Sequence, residues 1–220
     1  MSEQSFIVPA ILTDNITDFK VRLSIAKHLL KHSLSKRLQI DIVTDDDGPP
    51  SVTPEQIYAS CGNIHQDFSV DWHLMVSDID KYYQQIIGAN LIIIEYDTNI
   101  SLPAWLHYKQ MIPNLGLAFD LDINVDQISP FADHANHILV LANKAGRSGQ
   151  RVLLEPTMAK VRILRRMYPD KEIGWDIGVS DSNIKNIFAS GVNVANVSSY
   201  IFNSSDPEMS WDRLHRATLI

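Results

Sequence analysis

The chain has 220 residues, of which 45% are hydrophobic and 20% charged, the balance of a folded globular protein and a length that one barrel-sized domain of roughly 200–250 residues can take up. Its formal net charge of −7 offers no basic excess to neutralise phosphates, so nucleic acid is not an expected partner. No apolar run approaches the roughly 18 residues of a membrane helix, and Cys61, the single cysteine, cannot form an internal disulfide. The opening MSEQSFIVPAIL has no basic start followed by a long apolar run, so no secretory leader is expected and the cytoplasm is the expected compartment.

Along the chain, short continuous apolar runs alternate with helical spacing. Phe6 to Leu12 reads as a buried strand, Thr17 to Ser35 as a long amphipathic helix and Leu38 to Val43 as the second strand. The loop DDDGPPSVTP leads to a helix near Pro54 to Ser60, then a strand from Val70 to Val76. A helix from Asp78 to Ile87 closes at Gly88, a residue suited to ending helices. The fourth strand is Leu91 to Tyr96.

The second half repeats the pattern. Helices are expected at Leu102 to Gln110, Gln127 to Ala132, Pro156 to Met167, Ser182 to Ser190 and Trp211 to Thr218. Strands are expected at Leu115 to Phe119, His137 to Leu141, Glu172 to Trp175 and Val192 to Val197. Eight strand–helix units imply an α/β fold, a closed parallel (β/α)8 TIM barrel, formed as a single domain by residues 1–220. An open doubly wound sheet usually opens with a Gly-rich turn, and ILTDN after the first strand is not one.

Such barrels do their chemistry at the C-terminal ends of the strands. The first strand ends at Thr13, the second carries Gln39 and Asp41, the third Asp71 and His73, and the fourth ends at Glu95 and Asp97. The seventh ends at Asp176 and the eighth at Ser198 and Ser199. Charged residues in otherwise apolar strands need a partner or a role. Asp41, His73 and Asp176 therefore read as a metal site or an acid/base set. Two carboxylates and an imidazole suit zinc, iron or manganese. With such an ion, one reaction follows: an enediolate forms beside a carbonyl, and carboxylates on opposite faces remove and return the proton, inverting one carbon.

The loop Gly146, Arg147, Ser148, Gly149, Gln150 can offer backbone N–H groups to an anion, with Arg147 adding a charge-assisted contact. Gly178 and the pair Ser198 and Ser199 flank the place where barrels often hold phosphate. Other residues read as structural. KVRILRR is the solvated face of a helix, Asp45 to Gly48 is a solvated loop without an EF-hand pattern, and Cys61 is an inert thiol. His28 and His32 lie on an exposed helix face, His134 and His137 cap the short helix before the sixth strand, and Trp72 and Trp175 point outward into the helix layer.

Several segments resemble the ribulose-phosphate 3-epimerases over most of the chain. DWHLMV resembles that family's third strand most closely. QIDIV, GLAFD, GRSGQ, WDIGVSDSNI and SGVNVANVSSYIF resemble its second strand, fifth strand, phosphate loop, seventh strand and eighth strand, and PAILTDN its start, with Thr13 in place of serine. The resemblance implies that Asp41 and Asp176 are both metal ligands and the acid/base pair, that His73 is a ligand, and that Met75 packs near the enediolate. It implies a phosphate site at Gly146, Gly149, Gly178 and Ser199. The implied substrate is a phosphorylated ketopentose, the ion zinc, with iron, manganese or cobalt as alternatives, and the assembly a homo-oligomer.

The chain departs from that family in particular places. Gln39 stands where the family has its second metal histidine, as a neutral oxygen ligand in its place. Val43 and Leu141 replace methionines, Ile177 and Ser198 replace glycines, and Glu95 replaces a histidine. Glu95 is expected to face the site and compensate in charge for the lost histidine. Three functions remain in view: a pentulose 5-phosphate epimerase, an impaired homologue that binds sugar phosphate in a regulatory role, and a related barrel lyase.

Overall fold

The computed structural model describes residues 5–44, 50–96, 100–143 and 152–219. Eight parallel strands close into one barrel in sequence order, with the first hydrogen-bonded to both the second and the eighth. They are β1 (Phe6–Ile11), β2 (Arg37–Val43), β3 (Ser69–Met75), β4 (Leu91–Glu95), β5 (Leu115–Phe119), β6 (His137–Leu141), β7 (Glu172–Asp176) and β8 (Val194–Val197). The helices are α1 (Ile16–Leu29), α2 (Pro54–Cys61), α3 (Ile79–Tyr83), α4 (Leu102–Met111), α5 (Val125–Ala132), α6 (Leu154–Met167), α7 (Ile184–Ala189), α8 (Ser199–Phe202) and α9 (Pro207–Thr218). The expected (β/α)8 barrel is the observed fold. No helix among the described residues is long and apolar enough to cross a membrane.

Local chemistry sets where these elements begin. The Asn15 side chain accepts from the N–H groups of Thr17 and Asp18 and so starts α1. Thr53 and Gln56 form a reciprocal capping box at α2, with Pro54 in the first turn. Asp206 caps α9 through the N–H of Met209.

Two helices stop earlier than their sequence suggests. Phe19, Ala26 and Leu30 bury one stripe of α1, but Leu34 is fully exposed, so beyond Leu30 there is no core left to pack against. Lys36, at φ +43, turns the chain into β2. In the same way α3 ends at Tyr83 because Ile87 lies in solvent, and Gly88 supplies the positive φ that enters β4. The short α8 and a 3-10 turn at Ile64–Gln66 have too few residues to show a period in sequence.

The barrel wall divides its side chains by parity. Outward residues such as Trp72 and Trp175 join the large core between strands and helices. Trp72 packs against the rings of Tyr58 and His65, as the outward reading expects. Burial pushes the Cys61 thiol up, in keeping with an unreactive cysteine.

Inside the barrel three layers stack along the axis. At the N-terminal end of the strands, Arg37 donates to both carboxylate oxygens of Glu172 and to Asp71, while Asn90 also donates to Asp71. His137 belongs to this layer. It opens β6 opposite Glu172 and hydrogen-bonds to it at 2.7 Å through Nδ1, so it does not cap α5 as expected. Asp71, two residues before His73, likewise belongs to this layer through its ion pair with Arg37. A middle layer is apolar where Leu91, Ile93, Ala118, Leu139 and Leu141 cluster on β4, β5 and β6, and polar where Gln39 lies between Arg37 and Asp41 on β2. The third layer holds the polar residues at the C-terminal strand ends.

Candidate active site

Asp41 and His73 are register partners on neighbouring strands, so their side chains enter the barrel side by side. Asp176 ends β7. One ligand atom from each of the three lies within 4.8 Å of the others, close enough to share one cation. Asp41 and His73 are 7% and 1% exposed, so the cluster is largely shielded from water.

The imidazole is held between two acids. Its Nε2 lies 3.0 Å from Glu95 Oε2, and its Nδ1 lies 3.5 Å from Asp41 Oδ1. Burial disfavours the charged ring, but the Asp41 and Glu95 carboxylates outweigh it and raise His73 to about 10. Nδ1 is buried and makes no hydrogen bond to the described residues. A histidine oriented by a carboxylate on one nitrogen, with the other turned toward two aspartates, has the arrangement of a metal ligand and its supporting acid. The donor set of Asp41, His73 and Asp176 therefore fits a divalent ion.

Asp176 accepts from the Ile177 N–H at 2.7 Å and from Gln39 Nε2 at 2.8 Å. Burial and the nearby Asp41 charge push its carboxyl up to about 7, against the pull of His73 and these donors.

Gln39 behaves otherwise than a ligand would. Its Nε2 donates to Asp41 Oδ1 and to Asp176 Oδ2, each at 2.8 Å. Its carbonyl oxygen turns away and accepts from Asn196 Nδ2 at 2.6 Å. The opposite orientation would press a carbonyl dipole against two carboxylates, which is why the amide presents N–H groups here. Asn196 escaped the sequence reading. Its signal was available: a polar residue inside the apolar run VANV, in phase with the strand-end Ser198.

The remaining expected residues divide into three groups. Met75 ends β3, buried and in phase with His73. Gly178 follows β7 with φ +72, and a Cβ there would meet Val152 at 2.5 Å, so only glycine lets this turn approach the chain just after the Gly146–Gly149 segment. Ser198 precedes α8 with its Oγ buried and without a partner among the described residues, and Ser199 opens the helix. Thr13 is tied to its own turn, accepting from the Asn15 N–H through its hydroxyl and from the Val52 N–H through its carbonyl. Gly146, Arg147, Ser148 and Gly149 lie outside the described residues, as do Asp97 and the Asp45–Gly48 loop.

Residues 37–202 match the Ribulose-phosphate 3 epimerase family. The chain belongs to that family. It is 26% identical over 213 residues to a ribulose-phosphate 3-epimerase of Schizosaccharomyces pombe, covering 93% of this chain and 90% of the relative. It is 28% identical over 152 residues to the Aquifex aeolicus ribulose-phosphate 3-epimerase, covering 66% and 68%. Solved structures with the same fold include a thiamine phosphate pyrophosphorylase from Pyrococcus furiosus, with TM-score 0.66, 12% identity and 98% and 96% coverage. The 3-keto-L-gulonate-6-phosphate decarboxylase from Vibrio cholerae aligns with TM-score 0.63 at 10% identity, covering 98% and 97%. At such identities these two speak for the barrel alone. The matched span runs from the start of β2 to the end of α8 and so takes in Asp41, His73 and Asp176.

Proposed function

We propose that this chain is a ribulose-phosphate 3-epimerase-type isomerase that inverts the carbon beside the ketone of a pentulose 5-phosphate. The observation that carries this reading is the pairing of Asp41 and Asp176 on strands from opposite parts of the barrel, both within hydrogen-bond distance of one amide nitrogen. One carboxylate takes the proton from the carbon on one face of the substrate. The other, protonated, returns a proton to the opposite face, and the configuration inverts. Exchange with water then restores the starting protonation.

Asp41, His73 and Asp176 would hold a divalent ion, with zinc the first expectation and iron, manganese or cobalt as alternatives. Such an ion supplies polarisation of the substrate carbonyl and hydroxyl. Glu95 fixes the His73 ring. Met75 lies against the reacting carbons, and the turn at Gly178 together with Ser198 and Ser199 receives the phosphate, completed by Gly146, Arg147, Ser148 and Gly149. The Ser198 Oγ, buried and without a partner among the described residues, supports that placement.

A coupled assay with ribulose 5-phosphate tests the reading. Asp41→Asn and Asp176→Asn should each lower kcat by about 10²–10⁴-fold, the usual contribution of a positioned acid or base. Activity that survives Asp176→Asn removes the two-aspartate assignment. A second reading, a homologue that binds sugar phosphate without turning it over, is favoured by one observation: Gln39 presents N–H groups where the family resemblance implies a metal histidine. Binding of ribulose 5-phosphate without turnover, with turnover appearing in Gln39→His, would decide for it.

A further inference from the structure

We propose that Gln39 and Asn196 form a reversible amide pair that turns over as a unit when a divalent cation enters the Asp41–His73–Asp176 cluster, so that Gln39 becomes an oxygen ligand. The inference rests on the reading of that cluster as a metal site and adds to it a positioning residue, Asn196, on β8.

Both side chains are almost fully buried, Gln39 at 1% and Asn196 at 2% exposure, so water cannot stand in for a missing partner. In the observed arrangement the Gln39 Nε2 group divides its two N–H donors between Asp41 and Asp176, and its oxygen accepts from Asn196. Two facing carboxylates need donors between them, and the amide supplies them. One group is left over. Asn196 Oδ1 is buried with no hydrogen-bond partner among the described residues, an arrangement that costs free energy and calls for an explanation.

The explanation lies in what a cation would require. A positive ion between the aspartates repels the amide N–H groups and attracts the carbonyl. If Gln39 alone turned, its N–H groups would meet the Asn196 N–H groups, donor against donor. If Asn196 turns as well, its Oδ1 accepts from Gln39 Nε2, and the bond between the two amides is kept with donor and acceptor exchanged. A carboxamide at position 196 is therefore suited to both states, which neither an apolar residue nor a pure donor would be. The orphaned Oδ1 is the acceptor held in reserve for the second state. A histidine at position 39 needs no such partner, because its ring nitrogen is already a lone-pair donor to metal. Gln39 needs one, and Asn196 is placed to serve.

The test reads zinc binding and side-chain amide signals, with no turnover required. Zinc alone is titrated into the purified full chain by calorimetry, and ¹⁵N-labelled protein is followed by NMR. The Gln39 and Asn196 amide pairs are assigned from Gln39→Leu and Asn196→Val. Zinc should shift both pairs together. Asn196→Val, which leaves the turned Gln39 N–H groups without an acceptor, should weaken zinc binding by about tenfold or more, in the range known for outer partners of metal ligands. Asn196→Asp, an acceptor only, should restore binding to at least the wild-type level. A circular-dichroism melt separates a folding defect in Asn196→Val from the predicted effect, and the Asn196→Asp rescue holds in either case.

Zinc binding that leaves the Asn196 signals unmoved, or that is equally tight in Asn196→Val, overturns the paired turn. Zinc binding seen only in Gln39→His also overturns it, while leaving the Asp–His–Asp site standing. Absence of binding in every variant, Gln39→His included, removes the metal reading itself and the pair with it.

Discussion

His73 Nε2 lies 3.0 Å from the Glu95 carboxylate, joining the ends of β3 and β4 inside the barrel mouth. Glu95 therefore fixes both the orientation and the charge of the imidazole. Removing such a carboxylate costs about 10–100-fold in metal affinity or activity where the histidine is a ligand. Glu95→Ala should show a loss of that size in kcat/KM for ribulose 5-phosphate and in the zinc dissociation constant. Glu95→Gln, which still accepts from Nε2 through its amide oxygen, should lose less. Equal behaviour of Glu95→Ala and wild type would show that the contact has no part in the chemistry.

The charged layer at the other end of the barrel sets an acid limit on stability. Burial opposes ionisation of Glu172, but hydrogen bonds from His137 and Arg37 outweigh it and hold the carboxyl well below the usual range. Because the folded value lies under the unfolded value of about 4.3, the folded state binds fewer protons. The stabilisation is thus fully present above that pH and is lost as the pH falls through the acid range. Asp71 works in the opposite sense, since burial raises it despite Arg37 and Asn90. Urea denaturation at a series of pH values should show lower neutral stability and a shallower acid slope for Glu172→Gln than for wild type. Parallel curves would falsify this assignment.

Removing Arg37 leaves Asp71 buried beside Asn90 alone. Arg37→Met should cost about 3–5 kcal/mol, the usual loss when one partner of a buried pair is deleted. The midpoint of urea unfolding reports it directly.

Ile177 sits at φ +77, a conformation in which a β-branched side chain is strained. Glycine there would relieve roughly 1–2 kcal/mol of backbone cost. It would also remove packing against the apolar middle layer, a contribution of similar size and opposite sign. Net stability of Ile177→Gly should stay within about 1 kcal/mol of wild type. The turn before Gly178 opens, so KM for ribulose 5-phosphate should fall severalfold while kcat changes little. A KM that does not move would assign Ile177 to packing only.

Leu139 is fully buried in the middle layer. Leu139→Ala leaves a cavity enclosed by the barrel wall, and the rigid ladder on every side limits its collapse. A loss of about 2–5 kcal/mol is expected from chemical denaturation. Activity measured well below the melting temperature should change far less than stability.

The barrel was legible in the sequence because its strands are continuous apolar runs and its helices carry a separate period. DWHLMV shows why the cluster was legible too: His73 is a polar residue in a strand that otherwise favours burial, and its parity sets the face. Parity does not give height along the axis. Asp71 shares a face with His73 but belongs to the opposite layer, and His137 reads as a helix cap until its register with Glu172 is known. Gln39 was legible as a position and not as a contact, since the direction of its amide depends on Asn196, 157 residues further along the chain. Helix ends at Leu29 and Tyr83 depend on where the core runs out, which no local pattern records.

The place of Gln39 on β2 has a consequence for how this chain can change over time. Arg37, Gln39 and Asp41 face inward in turn along one strand, each about 6.6 Å from the next at about 3.3 Å per residue. Gln39 is also the register partner of Asp71, which Arg37 holds. Position 39 therefore stands between the charged layer and Asp41, within the range where substitutions usually couple. A change there is felt at both ends of the barrel. The chemistry at the mouth and the ion network at the far end are inherited together along one strand.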